Sequence, residues 1–256
     1  MSVSHYAGLR GGGVTHRGHV RDDNQDVIIV EPKLGLYAVL DGMGGANAGD
    51  VAARIAAQEI VAHVRKMSRL RRSSPEQLLR TALYTAAAQV FTAAAQRLEY
   101  RGMGTTAVAC LVDPTCAVIG HAGDSRAYLL RGGELIPLTR DHTSAPHLLT
   151  RNLGREYGVW PDMAAVPLQS GDRLLLCSDG LYGGAPIDVI QRVLGSGDPP
   201  KRVAHHLVAR VLEGEASDNV SAVVIAVGRP RTATPRSSRH AKALSSRPSQ
   251  PRRMRR

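Results

Sequence analysis

Five aspartates stand where apolar stretches give way to polar or glycine-containing loops. Asp41 follows Tyr37-Ala-Val-Leu40 and begins Asp41-Gly-Met-Gly-Gly45. Asp124 lies in His121-Ala-Gly-Asp-Ser-Arg126, and Asp179 follows Leu174-Leu-Leu-Cys-Ser178 and precedes Gly180. Asp218-Asn219 opens the last apolar stretch, and Asp26 sits just before the first. A single aspartate at a strand end is usually a turn former or a cap. Several at the ends of different buried strands are another matter: if those ends converge, the carboxylates repel severely without a cation. Hard divalent cations take oxygen ligands from carboxylates, backbone carbonyls and water. Glycines beside Asp41 and Asp179 let backbone approach such an ion. Two ions about 3.5–4 Å apart can share a carboxylate and a bridging water, activate that water and neutralise a phosphoryl group.

The surrounding elements must bring these residues together. Val27–Val30 and Leu36–Leu40 flank Glu31-Pro-Lys-Leu-Gly35, which predicts a hairpin. From Asn47 or Asp50 to about Met67 the apolar spacing is helical, with Val51, Ile55, Ile60 and Val64 among many alanines. Ser73-Ser-Pro-Glu76 starts a second helix, with Ser73 or Ser74 as cap, which should run to about Tyr100. Strands follow over Thr105–Leu111, Ala117–His121, Ser125–Leu130 and Glu134–Pro137. Residues 141–162 read as irregular. Asp172–Cys177 is a strand, Pro186–Leu194 and Pro200–Leu212 are amphipathic helices, and Asn219–Val227 is a last strand. Residues 104–137 offer no helix between strands, so an α+β sandwich fits this order better than a doubly wound parallel sheet.

The chain has 256 residues, 43% apolar and 21% charged, enough for a sizeable core. Its formal charge of +11 is unevenly placed. Residues 229–256 hold ten basic side chains and no acid, which leaves 23 basic against 22 acidic over residues 1–228. A basic pI therefore describes the tail and not the body. The expected organisation is a catalytic domain over 1–228 and a basic, Ser/Pro-rich, disordered tail over 229–256. The tail is either a solvated appendage or a contact for an acidic partner or surface. Aromatics make up 4%, which argues against a base-stacking nucleic-acid platform. No apolar run approaches the roughly 18 residues of a membrane span. The first 21 residues lack the apolar block of a secretory signal, so a cytoplasmic location is expected.

Cys110, Cys116 and Cys177 are too few and scattered for a disulfide scaffold and read as packing residues. Other phosphate devices are missing from the sequence: there is no G-x-x-x-x-G-K-[ST], and no cysteine is followed six residues later by arginine. No His/Cys cluster has zinc spacing, and His205-His206 reads as a surface pair.

Six motifs now stand in order: Arg21-Asp-Asp-Asn-Gln-Asp26, Asp41-Gly-Met-Gly-Gly45, Gly104-Thr-Thr106, Gly123-Asp-Ser-Arg126, Ser178-Asp-Gly180 and Asp218-Asn219. Each is weak alone. Together, over about residues 10–228, they resemble the metal-dependent type 2C serine/threonine protein phosphatases, and the bacterial members in particular. The resemblance implies a four-layer αββα sandwich of two antiparallel sheets flanked by helix pairs. It implies hydrolysis of phosphoserine and phosphothreonine in proteins by direct attack of a metal-bridged water. Two core ions, Mn2+ or Mg2+, and a weaker third are expected. Asp41 matches the carboxylate that bridges both core ions, and Gly42 the residue whose carbonyl meets the second. Asp179 and Asp218 match ligands of the first, and Asp124 with Asp179 matches the third site. Arg21 matches the arginine that grips the substrate phosphate, and Asp26 the carboxylate that orients the attacking water. Asn219 is expected to support Asp218 by hydrogen bonding. The implied partners are phosphorylated proteins, including a Ser/Thr kinase and its substrates, and a monomer is expected.

Four departures from the pattern matter. Gln25 stands where many members carry glutamate, and a neutral amide weakens any water-mediated hold on the second ion. Met43 stands where eukaryotic members have a histidine proposed as general acid, so water would protonate the leaving group. Between Asp141-His-Thr143 and Leu149-Thr-Arg-Asn-Leu-Gly154 lie only a few residues, Ser144-Ala-Pro-His-Leu148, where bacterial members usually insert about 20 more as a flap. That predicts a more open site and altered substrate choice. Tyr182-Gly-Gly184 is unusual, and the sequence offers no account of it. The alternative reading is a catalytically weak member that acts as a regulatory or binding module.

Overall fold

The computed structural model describes residues 8–44, 48–70, 73–113, 116–145 and 148–228. Gly45, part of the shortened flap and the whole basic tail fall outside these residues. Two antiparallel sheets stack face to face. The first runs β1 (Leu9–His16), β13 (Val220–Val227), β12 (Arg173–Cys177), β7 (Arg126–Arg131), β8 (Glu134–Pro137). The second runs β11 (Asp162–Pro167), β6 (Cys116–Ala122), β5 (Ala107–Val112), β3 (Leu36–Met43), β2 (Asp26–Glu31), with the short β4 (Gly104–Thr105) pairing to the end of β3.

Strand alternation explains the layering. Tyr37 and Val39 of β3, Leu174 and Leu176 of β12, and Val223 and Ile225 of β13 point between the sheets. Their neighbours point outward under helices: Leu36 and Leu40 share a cluster with Ile60 and Leu83, and Leu175 and Val224 share another with Val203 and Leu207. Both faces of the central strands are buried, so these strands read as continuous apolar runs.

The helices covering the second sheet are α1 (Ala48–Leu70) and α2 (Pro75–Gln96). Ser74 caps α2, and its box with Gln77 is closed in both directions. Buried Ala52, Ala53, Ala56 and Ala57 bring α1 close to the strands. The first sheet is covered by α4 (Ile187–Leu194) and α5 (Pro200–Leu212), preceded by the short α3 (Asp179–Gly184). The result is the expected αββα order.

Local expectations fail in five places. β1 was not expected, because Leu9-Arg-Gly-Gly-Gly-Val-Thr-His16 lacks a strand composition. Its glycines are needed instead for close approach: a Cβ on Gly12 would lie 2.5 Å from the backbone nitrogen of Lys201 on α5. The second helix stops at Gln96 and gives way to a 3-10 turn over Leu98–Tyr100, with Leu98 exposed rather than buried. The segment 141–162 is not wholly irregular, for β9 (Thr143–Ala145) and β10 (Leu148–Leu149) form a small hairpin and β11 begins at Asp162. β11 is a half-buried edge strand, which weakens its apolar pattern. Asp179 opens a helix rather than a loop. Asp26 lies inside β2, not before it.

Candidate active site

The strand ends carrying the five aspartates lie at one edge of the sandwich. β2 and β3 pair with Asp26 opposite Asp41. The β6–β7 loop brings Asp124, the end of β12 brings Asp179, and the approach to β13 brings Asp218. Four of them, Asp41, Asp124, Asp179 and Asp218, surround a cleft of about 530 Å³. Among the described residues six aspartates line it (Asp22, Asp23, Asp41, Asp124, Asp179, Asp218), against one cation, Arg21. Gln25, Gly42, Met43, Thr106, Leu149 and Asn219 also reach it. Only Asp26 of the expected site residues stays behind the wall, and it is 5% exposed.

The electrostatics follow from this crowding. Burial first, and then repulsion from Asp26, Asp179, Asp124 and Asp218, holds the Asp41 carboxyl well above the ordinary range. Asp124 is pushed up to about 6 by burial and by Asp179. Asp26 is pushed up to about 7, chiefly by burial, against the stabilising hydroxyls of Ser221 and Ser178. The Ser178 hydroxyl donates to Asp26 Oδ2 at 2.7 Å, while Asp26 Oδ1 is buried with no hydrogen-bond partner among the described residues.

Hydrogen bonds through Thr106 anchor Asp41 and the Asp124 loop. Asp41 N donates to Thr106 Oγ1 at 3.0 Å, and that oxygen shares a 2.7 Å hydrogen bond with Ser125 Oγ beside Asp124. Thr106 was quoted in a motif without a role; here it ties two of the aspartates together. Gly42 must be glycine, since a Cβ there would lie 2.1 Å from the carbonyl oxygen of Gly49 at the start of α1. The Gln25 side chain packs against Gly49 in the same corner. Met43 accepts a weak hydrogen bond from Asn152 at 3.6 Å.

Asn219 supports Asp218 by a hydrogen bond and has a second role as well. Only its backbone N–H supports Asp218, donating to Oδ1 at 2.8 Å. Its side chain clamps the loop before β2: Oδ1 accepts from Gln25 N, and Nδ2 donates to the carbonyls of Arg17 and Asp23, all within 2.9 Å. Asp22 and Asp23, on the rim, were not singled out by the sequence. Arg21 Nη2 donates to Asp218 Oδ2 at 2.8 Å, and this raises the guanidinium pKa further. Leu149, the residue directly after the shortened 144–148 segment, lines the cleft.

Comparison with known proteins gives the arrangement a family. A family model described as Protein phosphatase 2C matches residues 10–219. The chain belongs to the protein phosphatase 2C family. A serine/threonine phosphatase, stp, of Listeria welshimeri is 31% identical over 82% of this chain and 93% of its own length. PstP of Mycobacterium tuberculosis is 33% identical over 84% of this chain and 44% of its own. Among solved structures, PppA of Pseudomonas aeruginosa has a TM-score of 0.77 at 32% identity, covering 86% of this chain and 98% of that one. The catalytic domain of PstP in complex with two manganese ions also scores 0.77 at 32% identity, covering 87% and 99%.

The residues of this phosphatase 2C chain fit divalent metal ions in their chemistry. The donors are all hard oxygens, like charges raise the pKa of Asp41 and Asp124, and a buried carboxylate oxygen of Asp26 has no hydrogen-bond partner among the described residues. Among the described residues, no three acidic or histidine side chains already form a tight ligand set. Asp218 is engaged by Arg21 instead.

Proposed function

We propose that this chain removes phosphate from phosphoserine and phosphothreonine in proteins at the aspartate cleft. One observation carries the reading: aspartates separated by up to 196 residues line a single cleft, with Arg21 on its rim, in a phosphatase 2C fold. Asp41, the carbonyl of Gly42, Asp179 and Asp218 would hold two core ions, Mn2+ or Mg2+, and Asp124 with Asp179 a weaker third. When bound, the ions supply Lewis acidity, activating water and neutralising phosphoryl charge.

The protein's own groups do the rest. Arg21 offers a planar, charged fork to two phosphoryl oxygens, exchanging its exposed pair with Asp218 for the substrate. Asp26, buried behind the cleft wall opposite Asp41, is suited to orient the attacking water. Met43 cannot donate a proton, so solvent supplies one to the departing serine or threonine oxygen. The shortened 144–148 segment leaves room for a protein substrate.

The reading places the catalytic body within residues 1–228 and assigns the basic tail to an acidic partner or surface. Its natural substrates are a Ser/Thr kinase and that kinase's targets, met by a monomer in the cytoplasm. No helix among the described residues is long and apolar enough to cross a membrane. A chain truncated after Gly228 should keep its turnover of a small aryl phosphate.

The deciding experiment is hydrolysis of an aryl phosphate and of phosphopeptides with Mn2+, with EDTA, and by Asp41→Asn. Turnover should require Mn2+ and fall at least about 100-fold in the variant. Turnover that survives EDTA, or an unimpaired Asp41→Asn, would overturn the proposal. A catalytically weak regulatory member is the second reading, favoured by Gln25 and by the engagement of Asp218 with Arg21. It predicts Mn2+ uptake with negligible turnover of every substrate.

A further inference from the structure

Tyr182 has no part in the mechanism above, and we propose that it is a positioning residue that fixes Asp124 relative to Asp179. The inference rests on the reading that the cleft binds divalent ions. Asp179 is the first residue of α3 and Tyr182 lies three residues on, so one helical turn carries both. The Tyr182 hydroxyl donates to the backbone carbonyl of Asp124 at 3.2 Å. The peptide of one acidic residue is thereby tied to the helix that bears the other.

The ring is held in this pose. The Arg126 guanidinium lies over it, 3.6 Å from the centroid. Arg126 is itself fixed by a two-point ion pair with Asp141, at 2.9 and 2.7 Å, and by a 3.3 Å hydrogen bond to the Tyr128 hydroxyl. Gly184, at the far end of α3, sits so close to α5 that a Cβ would lie 2.5 Å from Val211. The helix, the ring and its lid are therefore one packed unit.

The Asp124 loop is pinned at three successive residues, each by a different element. Gly123 exchanges hydrogen bonds with His142: His142 N donates to Gly123 O at 2.8 Å, and Gly123 N donates to His142 Nδ1 at 3.1 Å. Ser125 bonds to Thr106. The tie at Asp124 leads to α3 and so to Asp179. A phenol suits this task because it combines reach with a donor. Serine or threonine at position 182 would fall short of the carbonyl, and phenylalanine would reach it with nothing to donate.

Calorimetric titration of the EDTA-stripped full chain with Mn2+, without substrate, tests the assignment. Tyr182→Phe keeps the stacked ring and removes the one hydrogen bond. It should weaken by about two- to tenfold the class of Mn2+ site that Asp124→Asn removes, and leave the tighter class in place. In the Asp124→Asn background it should have no further effect on Mn2+ binding. The melting temperature of the stripped protein should stay at the wild-type value.

Superimposable isotherms for wild type and Tyr182→Phe would overturn the inference. So would equal weakening with and without Asp124, or a parallel loss in every class together with a lower melting temperature. A wild-type chain that takes up no Mn2+ would instead bring down the metal reading beneath it.

Discussion

Asp26→Asn in metal-stripped protein should change stability by an amount that depends on pH. The folded carboxyl titrates near 7, against an ordinary value of 3.8. Because the folded pKa is raised, the native state holds its proton more tightly than the unfolded chain does. Stability is therefore highest below about pH 4, falls as pH rises through the interval to about 7, and is flat above it. Ionising Asp26 in place costs about 4 kcal/mol at the plateau, and linkage puts about 2.5 kcal/mol of that between pH 5 and pH 8. Asparagine never ionises, and its carbonyl can still accept from Ser178. Its amide nitrogen takes the position of Oδ1, which has no partner among the described residues, at a pH-independent cost of about 1–3 kcal/mol. The variant should therefore gain about 2.5 kcal/mol on wild type between pH 5 and pH 8, or about 5–10 °C in melting temperature. Denaturant unfolding of both proteins in EDTA at the two pH values measures this. A variant-minus-wild-type difference that is the same at pH 5 and pH 8 would refute the argument, since it would mean that Asp26 is not ionising against the fold.

Asn219→Ala removes three hydrogen bonds to the loop that carries Arg21, and should cost about 2–4 kcal/mol of stability by thermal denaturation and raise KM for phosphopeptides. Arg21→Lys keeps the charge but loses the fork. It should raise KM for an aryl phosphate about tenfold while shifting stability by under about 1 kcal/mol, because the pair with Asp218 is exposed. Lengthening the 144–148 segment with a full flap should change the ranking among phosphopeptides in a turnover panel. An unchanged ranking would separate that segment from substrate choice.

Much of this protein is legible in residue order. Short apolar runs such as Tyr37–Leu40 and Leu174–Cys177 mark the buried strands, and Ser74 with Gln77 marks the start of a helix. Glycine next to aspartate at strand ends points to metal chemistry, because charge at the mouth of an apolar core needs a counter-ion. β1 was hidden because its glycines serve contact with α5 and not strand propensity. α3 was hidden because three of its six residues are glycine, poor helix formers on their own. The role of Tyr182 and the clamp made by Asn219 were hidden for a different reason. Their partners, Asp124 and the Arg17–Gln25 loop, lie 58 and about 200 residues away. Residue types and local spacing thus determined which side chains carry charge and which strands are buried. Only the stacking of the two sheets decided which strand ends share an edge, and hence which carboxylates repel, which hydroxyls hold them, and where a cation is needed.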